Sequence, residues 1–300
     1  MTKAFNPTPG VALKLADDLH LVLAPNPSPM TFLGTNTFLL GTDTLAVIDP
    51  GPDHPSHLQA VLAAINSRPV SHILVTHSHL DHSPLARPLA DATGAPICAF
   101  GDSTAGRSPV MQTLASQGLL GGGEGIDAAF APDIILNDGE VVSGQWGEVT
   151  ALHTPGHIGN HMCFAQPQRA FTGDHVMGWA SSLVSPPDGD LTDFMGSCRR
   201  LLALDAAVFY PAHGAPITDP VARLHWLIKH RQQREADILT ALAGGAATVS
   251  DLTKRIYTDV DPALIPAAER NVLAHLIDLS GRGLTTATPA LTATATFQRT

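Results

Sequence analysis

Short apolar runs typical of β-strands alternate with helical patterns through the first two-thirds of the chain. Residues 35–40 and 44–48 are two β-prone runs, and the Gly41-Thr42-Asp43 sequence between them predicts a hairpin. Residues 56–66 carry apolar side chains at helical spacing, with Ser56 as the predicted N-cap. The other predicted strands are 73–76, 96–100, 141–149, 162–165, 169–172 and 207–210, and the other predicted helices are 84–93 and 192–204. This order of strands and helices predicts a layered α/β architecture.

The pattern changes near residue 221. Residues 221–242 predict one long helix whose middle, 229–237, is mostly polar and which ends at Gly244-Gly245. Two short helices are predicted at 249–257 and 266–280, and the threonine-rich tail at 284–297 suits a small β-wing. We therefore predict a main domain at 1–220 and a connecting helix with a winged-helix-like domain at 221–300.

Apolar content and cysteine usage predict a cytoplasmic protein. No apolar run approaches the roughly 18–20 residues that span a bilayer, so we expect no membrane association. No apolar region follows Lys3 in the first ten residues, which predicts no secretory signal. Three cysteines, Cys98, Cys163 and Cys198, form no CxxC pair and are predicted to be reduced, buried side chains.

The charge of the chain disfavours one class of partner. The net charge is −10, and residues 1–219 hold 20 Asp and Glu against 8 Lys and Arg, whereas residues 221–300 hold 7 against 9. Because contacts to nucleic-acid phosphates need clustered lysine and arginine, an acidic main domain argues against tight nucleic-acid binding.

Four metal-ligating side chains lie within six residues of the sequence His77-Ser78-His79-Leu80-Asp81-His82. Side chains at positions i and i+2 of an extended segment point the same way, so His77 and His79 can share one ion. A turn after them would present Asp81 and His82 to a second ion. Imidazole and carboxylate ligands suit zinc, and also iron or manganese.

Three more candidate ligands follow predicted strands. His157 lies in H-T-P-G-H after the strand ending near Leu152, Asp174 in F-T-G-D-H, and His213 in Y-P-A-H-G. Sites of α/β proteins lie at the carboxyl ends of strands, so these residues are predicted to join the 77–82 segment in one metal site.

Five sequence blocks together resemble the metallo-β-lactamase superfamily over about residues 30–215. They are Asp49-Pro50-Gly51, H-x-H-x-D-H, T-P-G-H, G-D and A-H-G. The resemblance implies an αββα sandwich followed here by the winged-helix-like domain. It also implies that one metal is bound by His77, His79 and His157, the other by Asp81, His82 and His213, with Asp174 bridging both.

The implied cofactors are two divalent ions, Zn²⁺ in the first place, with Fe or Mn as alternatives. Ions roughly 3.5–4 Å apart lower the pKa of a water toward neutrality, which predicts hydrolysis by a bridging hydroxide. Asp81 and Asp174 are the predicted catalytic residues, and Asp81 is expected to orient the hydroxide. No serine or cysteine nucleophile is needed.

Two substrate classes remain open within hydrolysis. The first is an ester, thioester or lactone of a small acyl compound, as in glyoxalase II-like hydrolases. The second follows from the stretches 230–235, 257–260 and 269–276, which resemble the winged-helix tail of the beta-lactamase-like protein 2 group and imply a single-strand endoribonuclease. Only Arg270 and Arg282 offer positive charge near the presumed second helix of that tail, which favours the acyl substrate.

Two further possibilities rank lower. A flavodiiron-type electron carrier or sensor would need a flavin domain, and a secreted β-lactamase would need a signal peptide. The C-terminal domain is also compatible with a role in capping the site or in forming a homodimer.

The remaining polar residues near the blocks receive secondary roles. Asp49 is predicted to hold a ligand imidazole through its other nitrogen, and His153, His161 and His175 are predicted as outer partners or substrate contacts. Seven other histidines are predicted to lie at the surface or to be partly packed: His20, His54, His57, His72, His225, His230 and His275.

Overall fold

A computed structural model describes residues 5–121 and 125–300 of the chain. Its first sheet has seven strands that lie side by side in chain order. They are β1 Leu13–Ala16, β2 Leu19–Leu23, β3 Asn36–Leu40, β4 Leu45–Ile48, β5 Val70–Leu74, β6 Ile97–Ala99 and β7 Ile134–Ile135. Strands β1 to β4 pair antiparallel, and β4 to β7 pair parallel.

The second sheet has five strands in the order β12-β11-β10-β9-β8. They are β8 Val141–Gly144, β9 Gly147–His153, β10 Met162–Gln166, β11 Arg169–Gly173 and β12 Val208–Pro211. Because β10 is antiparallel to both neighbours and β12 is parallel to β11, strands β9, β11 and β12 all point the same way.

The two sheets pack face to face between two layers of helices. Apolar side chains such as Phe38 of the first sheet and Phe164 of the second form the core between the sheets. Helices α1 Pro55–Ile65 and α2 Ala86–Thr93 cover the outer face of the first sheet, and α4 Leu191–Leu201 covers that of the second. The predicted αββα sandwich is confirmed, and its two sheets bring distant strand ends to one edge.

The C-terminal region forms a winged-helix domain behind one long helix. Helix α5 Pro220–Ala243 leads to β13 Ala247–Thr248, α6 Val249–Ile256, α7 Ile265–Gly281, β14 Thr285–Thr288 and β15 Thr296–Arg299. The first half of α5 packs on the sandwich through Leu224 and Leu227, and its second half packs on the C-terminal helices through Ile238 and Leu242. The boundary at residue 220 stays a prediction, since α5 belongs to both cores.

Some local predictions were wrong for identifiable reasons. The strand predicted at 141–149 is a hairpin, β8–β9, because the chain turns at Gln145-Trp146 and continues at Gly147 with a φ of +105°. Helix α1 begins after His54, without a side-chain cap, and Ser56 lies inside its first turn. Helix α3 Pro109–Ser116 and the strands β1, β2 and β7 were not predicted. Helix α3 contributes only Met111 and Leu114 to a core, which gives a weak apolar period.

Within the described ranges, no helix is both long and apolar enough to cross a bilayer. Cys98, Cys163 and Cys198 are free thiols and are buried, as predicted.

Candidate metal centre

The seven predicted ligands meet at the edge of the sandwich where several strands end. His77 follows β5, His157 follows β9, Asp174 directly follows β11 and His213 follows β12. Asp49, directly after β4, joins them from the first sheet. The sheets thus bring together candidate ligands that lie up to 136 positions apart in the chain, from His77 to His213, and Asp49 lies a further 28 positions before His77.

Glycines let the backbone pass close to these side chains. Gly51 has a φ of +102°, and a Cβ there would lie 2.7 Å from Cδ2 of the buried His57. Its N–H donates to the carbonyl of His82 at 2.9 Å, which ties the Asp49 turn to the H-x-H-x-D-H segment. A larger residue would strain this turn and separate the two segments.

Four side chains form what we call the first donor group, namely His77, His79, His157 and Asp174. His79 Nδ1 lies 3.0 Å from His77 Nε2 and 3.1 Å from His157 Nε2. Asp174 Oδ2 lies 3.6 Å from His157 Nε2. Three imidazole nitrogens and one carboxylate oxygen therefore converge on one point, a donor set that suits a tetrahedral zinc or a related ion.

Asp81, His82 and His213 form the second donor group. Asp81 Oδ2 lies 3.2 Å from His82 Nε2 and 3.1 Å from His213 Nε2. The other oxygen of Asp174, Oδ1, lies 3.2 Å from His213 Nε2 and 3.6 Å from His82 Nε2. The two oxygens of Asp174 thus face one donor group each.

The outward nitrogens of three imidazoles are held by fixed acceptors. His157 Nδ1 donates to the Leu183 carbonyl at 2.7 Å, and His213 Nδ1 donates to the Gly34 carbonyl at 3.1 Å. His82 Nδ1 lies 3.1 Å from Asp49 Oδ2. In the neutral form of each imidazole the outward nitrogen carries the proton, which leaves the Nε2 lone pair facing the donor group. The predicted contact of Asp49 with the outward nitrogen of a candidate ligand is confirmed.

Asp49 also reaches the first donor group through Thr76. Its Oδ1 accepts the Thr76 N–H at 2.7 Å, and its Oδ2 accepts the Thr76 hydroxyl at 2.8 Å. The Thr76 oxygen lies 3.0 Å from His77 Nδ1. Since the hydroxyl proton is given to Asp49, the Thr76 oxygen accepts from His77 Nδ1, and His77 Nε2 again keeps its lone pair.

Burial sets the protonation of the first donor group. Burial, followed by the neighbouring His82, lowers the pKa of His77 well below its ordinary value. Burial and the adjacent His157 lower the pKa of His79 to about 3. Burial also lowers the pKa of His157, in spite of Asp174. These imidazoles are therefore neutral near pH 7, which is the form that binds a metal.

Carboxylates dominate the second donor group. Burial opposes a charge on His213, but Asp174 and Asp81 raise its pKa to about 10. Burial is likewise outweighed at His82, whose pKa is raised well above its ordinary value by Asp81, Asp174 and Asp49. This position therefore favours positive charge, as expected where buried carboxylates surround a cation site.

Buried polar atoms without a hydrogen-bond partner also indicate that the two donor groups could hold metal ions. Within the described part of the chain, His82 Nε2, His213 Nε2, Asp81 Oδ1 and Asp174 Oδ1 are buried and make no hydrogen bond of acceptable geometry. Buried polar atoms are rarely left unpaired unless an ion or water completes them. The two donor groups therefore fit a dinuclear metal site.

Arginines from the C-terminal region hold the segment that carries the Leu183 carbonyl. Arg231 Nη2 donates to the carbonyls of Ser181 and Ser182 at 2.8 and 2.6 Å. Arg223 donates to the carbonyls of Met177 and Ala180, and Arg270 donates to that of Pro186. We call residues 177–186 the clamped segment. The C-terminal domain thereby positions a main-chain acceptor of the candidate metal centre.

The structure separates the three nearby histidines that were predicted as outer partners. The ring centroid of His161 lies 5.1 Å from that of His77, so His161 packs behind a candidate ligand. His153 points away, stacked on Phe100, with Nε2 2.8 Å from the Gly159 carbonyl. His175 packs on Phe194 and lies behind His161.

Two of the seven histidines predicted to lie at the surface or to be partly packed are fully buried, so that prediction was wrong for them. His57 is 0% exposed and contacts the Thr37 hydroxyl at 2.9 Å. His275 is 1% exposed, although both its nitrogens lack a hydrogen-bond partner within the described residues. Both lie on helix faces that the sandwich or α5 covers, which sequence position alone does not reveal.

Two known protein families match this chain. The profile of the "Metallo-beta-lactamase superfamily" matches residues 30–213, which contain both donor groups. The chain belongs to the metallo-β-lactamase superfamily. A second profile, "Beta-lactamase associated winged helix domain", matches residues 248–290.

Relatives of this superfamily member cover most of its length. A beta-lactamase-like protein 2 homolog from Caenorhabditis elegans is 30% identical over 90% of this chain and 87% of its own. An atrochrysone carboxyl ACP thioesterase from Aspergillus fumigatus is 32% identical over 79% of this chain and 72% of its own. A metallo-beta-lactamase family protein from Thermus thermophilus superposes with a TM-score of 0.75 at 24% identity, covering 96% of this chain and 100% of that one.

Sequence reasoning missed several groups that complete the site. Thr76 precedes the motif directly, but nothing in the sequence shows that its hydroxyl joins Asp49 to His77. The Gly34 and Leu183 carbonyls are main-chain atoms, for which no side-chain pattern exists. Arg231 lies in the polar middle of α5 and is nevertheless 2% exposed.

Proposed function

We propose that this protein is a dinuclear metal-dependent hydrolase that cleaves an ester, thioester or lactone of a small acyl substrate. The observation that carries the proposal is the placement of Asp174, whose two oxygens each face a separate donor group. One ion would be held by His77, His79 and His157, the other by Asp81, His82 and His213, and Asp174 would bridge them. When bound, two divalent ions supply an activated water and an electrophile for the scissile carbonyl.

The exposed edges of the site define where a substrate approaches. Asp174 and His79 are each 7% exposed and His157 is 6% exposed, whereas His77 and His82 are fully buried. The reacting carbonyl therefore meets the site from the side of His79, His157 and Asp174. The buried imidazoles on the far side fix the geometry and exclude water.

Asp81 would orient the attacking water through a hydrogen bond. Its Oδ2 accepts the Thr35 hydroxyl at 3.2 Å and faces two imidazoles, whereas its Oδ1 has no hydrogen-bond partner within the described residues. The Oδ1 lone pairs are free to accept a hydrogen bond from water and to orient it for attack. Zinc suits the imidazole and carboxylate donor set, and iron or manganese are alternatives.

An acyl substrate is supported by two observations. The Aspergillus fumigatus relative bears the name of a thioesterase, and it aligns over most of both chains. The positive side chains near the site are already engaged, since Arg223, Arg231 and Arg270 donate to main-chain carbonyls. Arg282, the other cation considered for RNA, pairs with Glu235 at 2.6 Å. These four arginines are therefore already engaged with protein acceptors, which disfavours their use on a phosphate backbone.

The proposal is tested by a substrate screen of the protein after its metal content has been measured. The zinc-loaded protein is assayed against acyl thioesters, lactones, phosphodiesters and short single-stranded RNAs. We expect hydrolysis in the first two classes and two metals per chain. Cleavage of RNA without any acyl hydrolysis would replace the proposal with the nuclease alternative.

A matched pair of variants ties activity to the bridging carboxylate. Asp174→Asn keeps the shape of the side chain but removes one oxygen, so we expect metal content and acyl hydrolysis to fall together. Asp205→Asn, at an exposed position after α4, should leave both unchanged. Full activity of Asp174→Asn, or of the metal-depleted protein, would contradict the proposed role.

A further inference from the structure

An apolar cavity lies between the clamped segment and the C-terminal domain. Its volume is about 220 Å³. One wall includes Met30, Met177 and Leu183, and the opposite wall includes Tyr257, Leu264 and Ala267. None of the side chains that line it carries a charge. Both domains therefore build this cavity.

The cavity adjoins the candidate metal centre on two sides. The Leu183 side chain lines it, while the Leu183 carbonyl accepts from the candidate ligand His157 at 2.7 Å. Trp179 also lines it, and its ring lies against Gly214, the residue after His213, at 3.0 Å from the position of an added Cβ. A group held in the cavity would therefore lie beside the exposed edge of the site.

Exposed aromatic surface continues from the cavity toward solvent. The rings of Phe32 and Trp179 stack with centroids 5.0 Å apart, and they are 45% and 37% exposed. Apolar surface left open beside a polar site commonly marks where a ligand is recognised. An exposed stacked pair next to an apolar cavity suits a substrate with a substantial hydrocarbon part.

We propose that this interdomain cavity binds the aliphatic acyl chain of the substrate and sets its preferred length. The inference rests on the proposed acyl hydrolase function and names the substrate class more closely. An uncharged wall cannot offset the cost of removing a phosphate or carboxylate from water, so an alkyl chain is the occupant that it stabilises. The volume lies below the range of about 300–1,000 Å³ for drug-sized ligands, which suits a short or medium chain.

The first test is the dependence of turnover on chain length. The metal-loaded protein is assayed with straight-chain acyl thioesters from acetyl to decanoyl. Each methylene that enters the cavity should raise kcat/KM about fourfold, which is the value of one buried CH₂. The rise should stop when the cavity is full.

A variant that fills the cavity identifies where the chain lies. Ala267→Leu adds bulk to the cavity wall and should lower kcat/KM for the longest accepted chains roughly tenfold or more relative to kcat/KM for the acetyl substrate. Ala263→Leu is the matched control, because Ala263 is exposed in the same region and does not line the cavity. Equal length profiles for Ala267→Leu and the wild-type protein would overturn the assignment.

Binding of products separates this inference from the proposed function. Straight-chain carboxylates from acetate to octanoate are titrated into the metal-loaded protein, and affinity should rise with length in the wild-type protein but much less in Ala267→Leu. If acyl substrates are hydrolysed without any length dependence, the cavity assignment fails and the proposed function stands. If none is hydrolysed but carboxylate affinity rises with length, the proposed reaction fails and the cavity assignment stands.

Discussion

Replacing Asp49 by asparagine tests how the second donor group is oriented. The Asp49 carboxylate is 2% exposed and faces three donors, namely the Thr76 N–H at 2.7 Å, the Thr76 hydroxyl at 2.8 Å and His82 Nδ1 at 3.1 Å. An asparagine has the same shape but offers only one acceptor oxygen. Its amide group must therefore face at least one of these buried donors.

The size of the effect follows from that mismatch. A buried donor left without an acceptor costs about 1–3 kcal/mol. Expressed in metal binding, this corresponds to a loss of about 10- to 100-fold, which is the usual effect of removing an outer partner of a metal-bound histidine. His82 contacts Asp49 directly, whereas His77 reaches it through Thr76. The affinity for the ion of the second donor group, which includes His82, should therefore fall more.

Competition with a chromophoric chelator measures the two affinities separately. We expect Asp49→Asn to bind one ion with near wild-type affinity and the other at least tenfold more weakly. Asp53→Asn, at an exposed position in the same loop, is the matched control and should bind both ions normally. The reasoning is refuted if a folded Asp49→Asn protein binds both ions as tightly as the wild-type protein.

Three further predictions follow from the packing around the site. Arg231→Met removes the hydrogen bonds that hold the clamped segment, so metal affinity should fall about tenfold by the same chelator assay, whereas Arg234→Met on the same helix should leave it unchanged. Gly173→Ala should lower the melting temperature and the metal content, since φ is +47° and its Cβ would lie 2.5 Å from a buried imidazole; unchanged values would show that the turn can adjust. Burial and then nearby arginines lower the pKa of His275 well below 6.5, so the unfolded chain takes up the proton first and the free energy of unfolding falls as the pH drops below about 6.5. His275→Leu should remove that loss. In denaturant titrations, the free energy of unfolding of His275→Leu relative to the wild-type protein should rise by about 2 kcal/mol between pH 7.5 and pH 5. The control His225→Leu, at an exposed position, should show no such rise.

Motif spacing selected the candidate ligands, and the family resemblance carried by those motifs predicted the fold. The H-x-H-x-D-H block needs only a strand end and a turn to place its side chains, and both are local properties of the chain. His157, Asp174 and His213 each follow a strand whose apolar run is visible in the sequence. The two-sheet sandwich, which the family resemblance implied, and the winged helix, which the helical pattern predicted, are both confirmed.

Amino-acid order by itself therefore determined which side chains are candidates for the chemistry, since residue type and distance from a strand end can be read from the sequence. Only the tertiary structure decided how those side chains are held. The contacts of Asp49 with Thr76 and His82, the Leu183 carbonyl behind His157, and the arginines on the clamped segment all join positions that are distant in sequence or use main-chain atoms. The interdomain cavity depends in the same way on how α7 packs against residues 177–183. Such contacts arise when buried polar groups must find partners in three dimensions, and a periodic pattern along one dimension does not encode them.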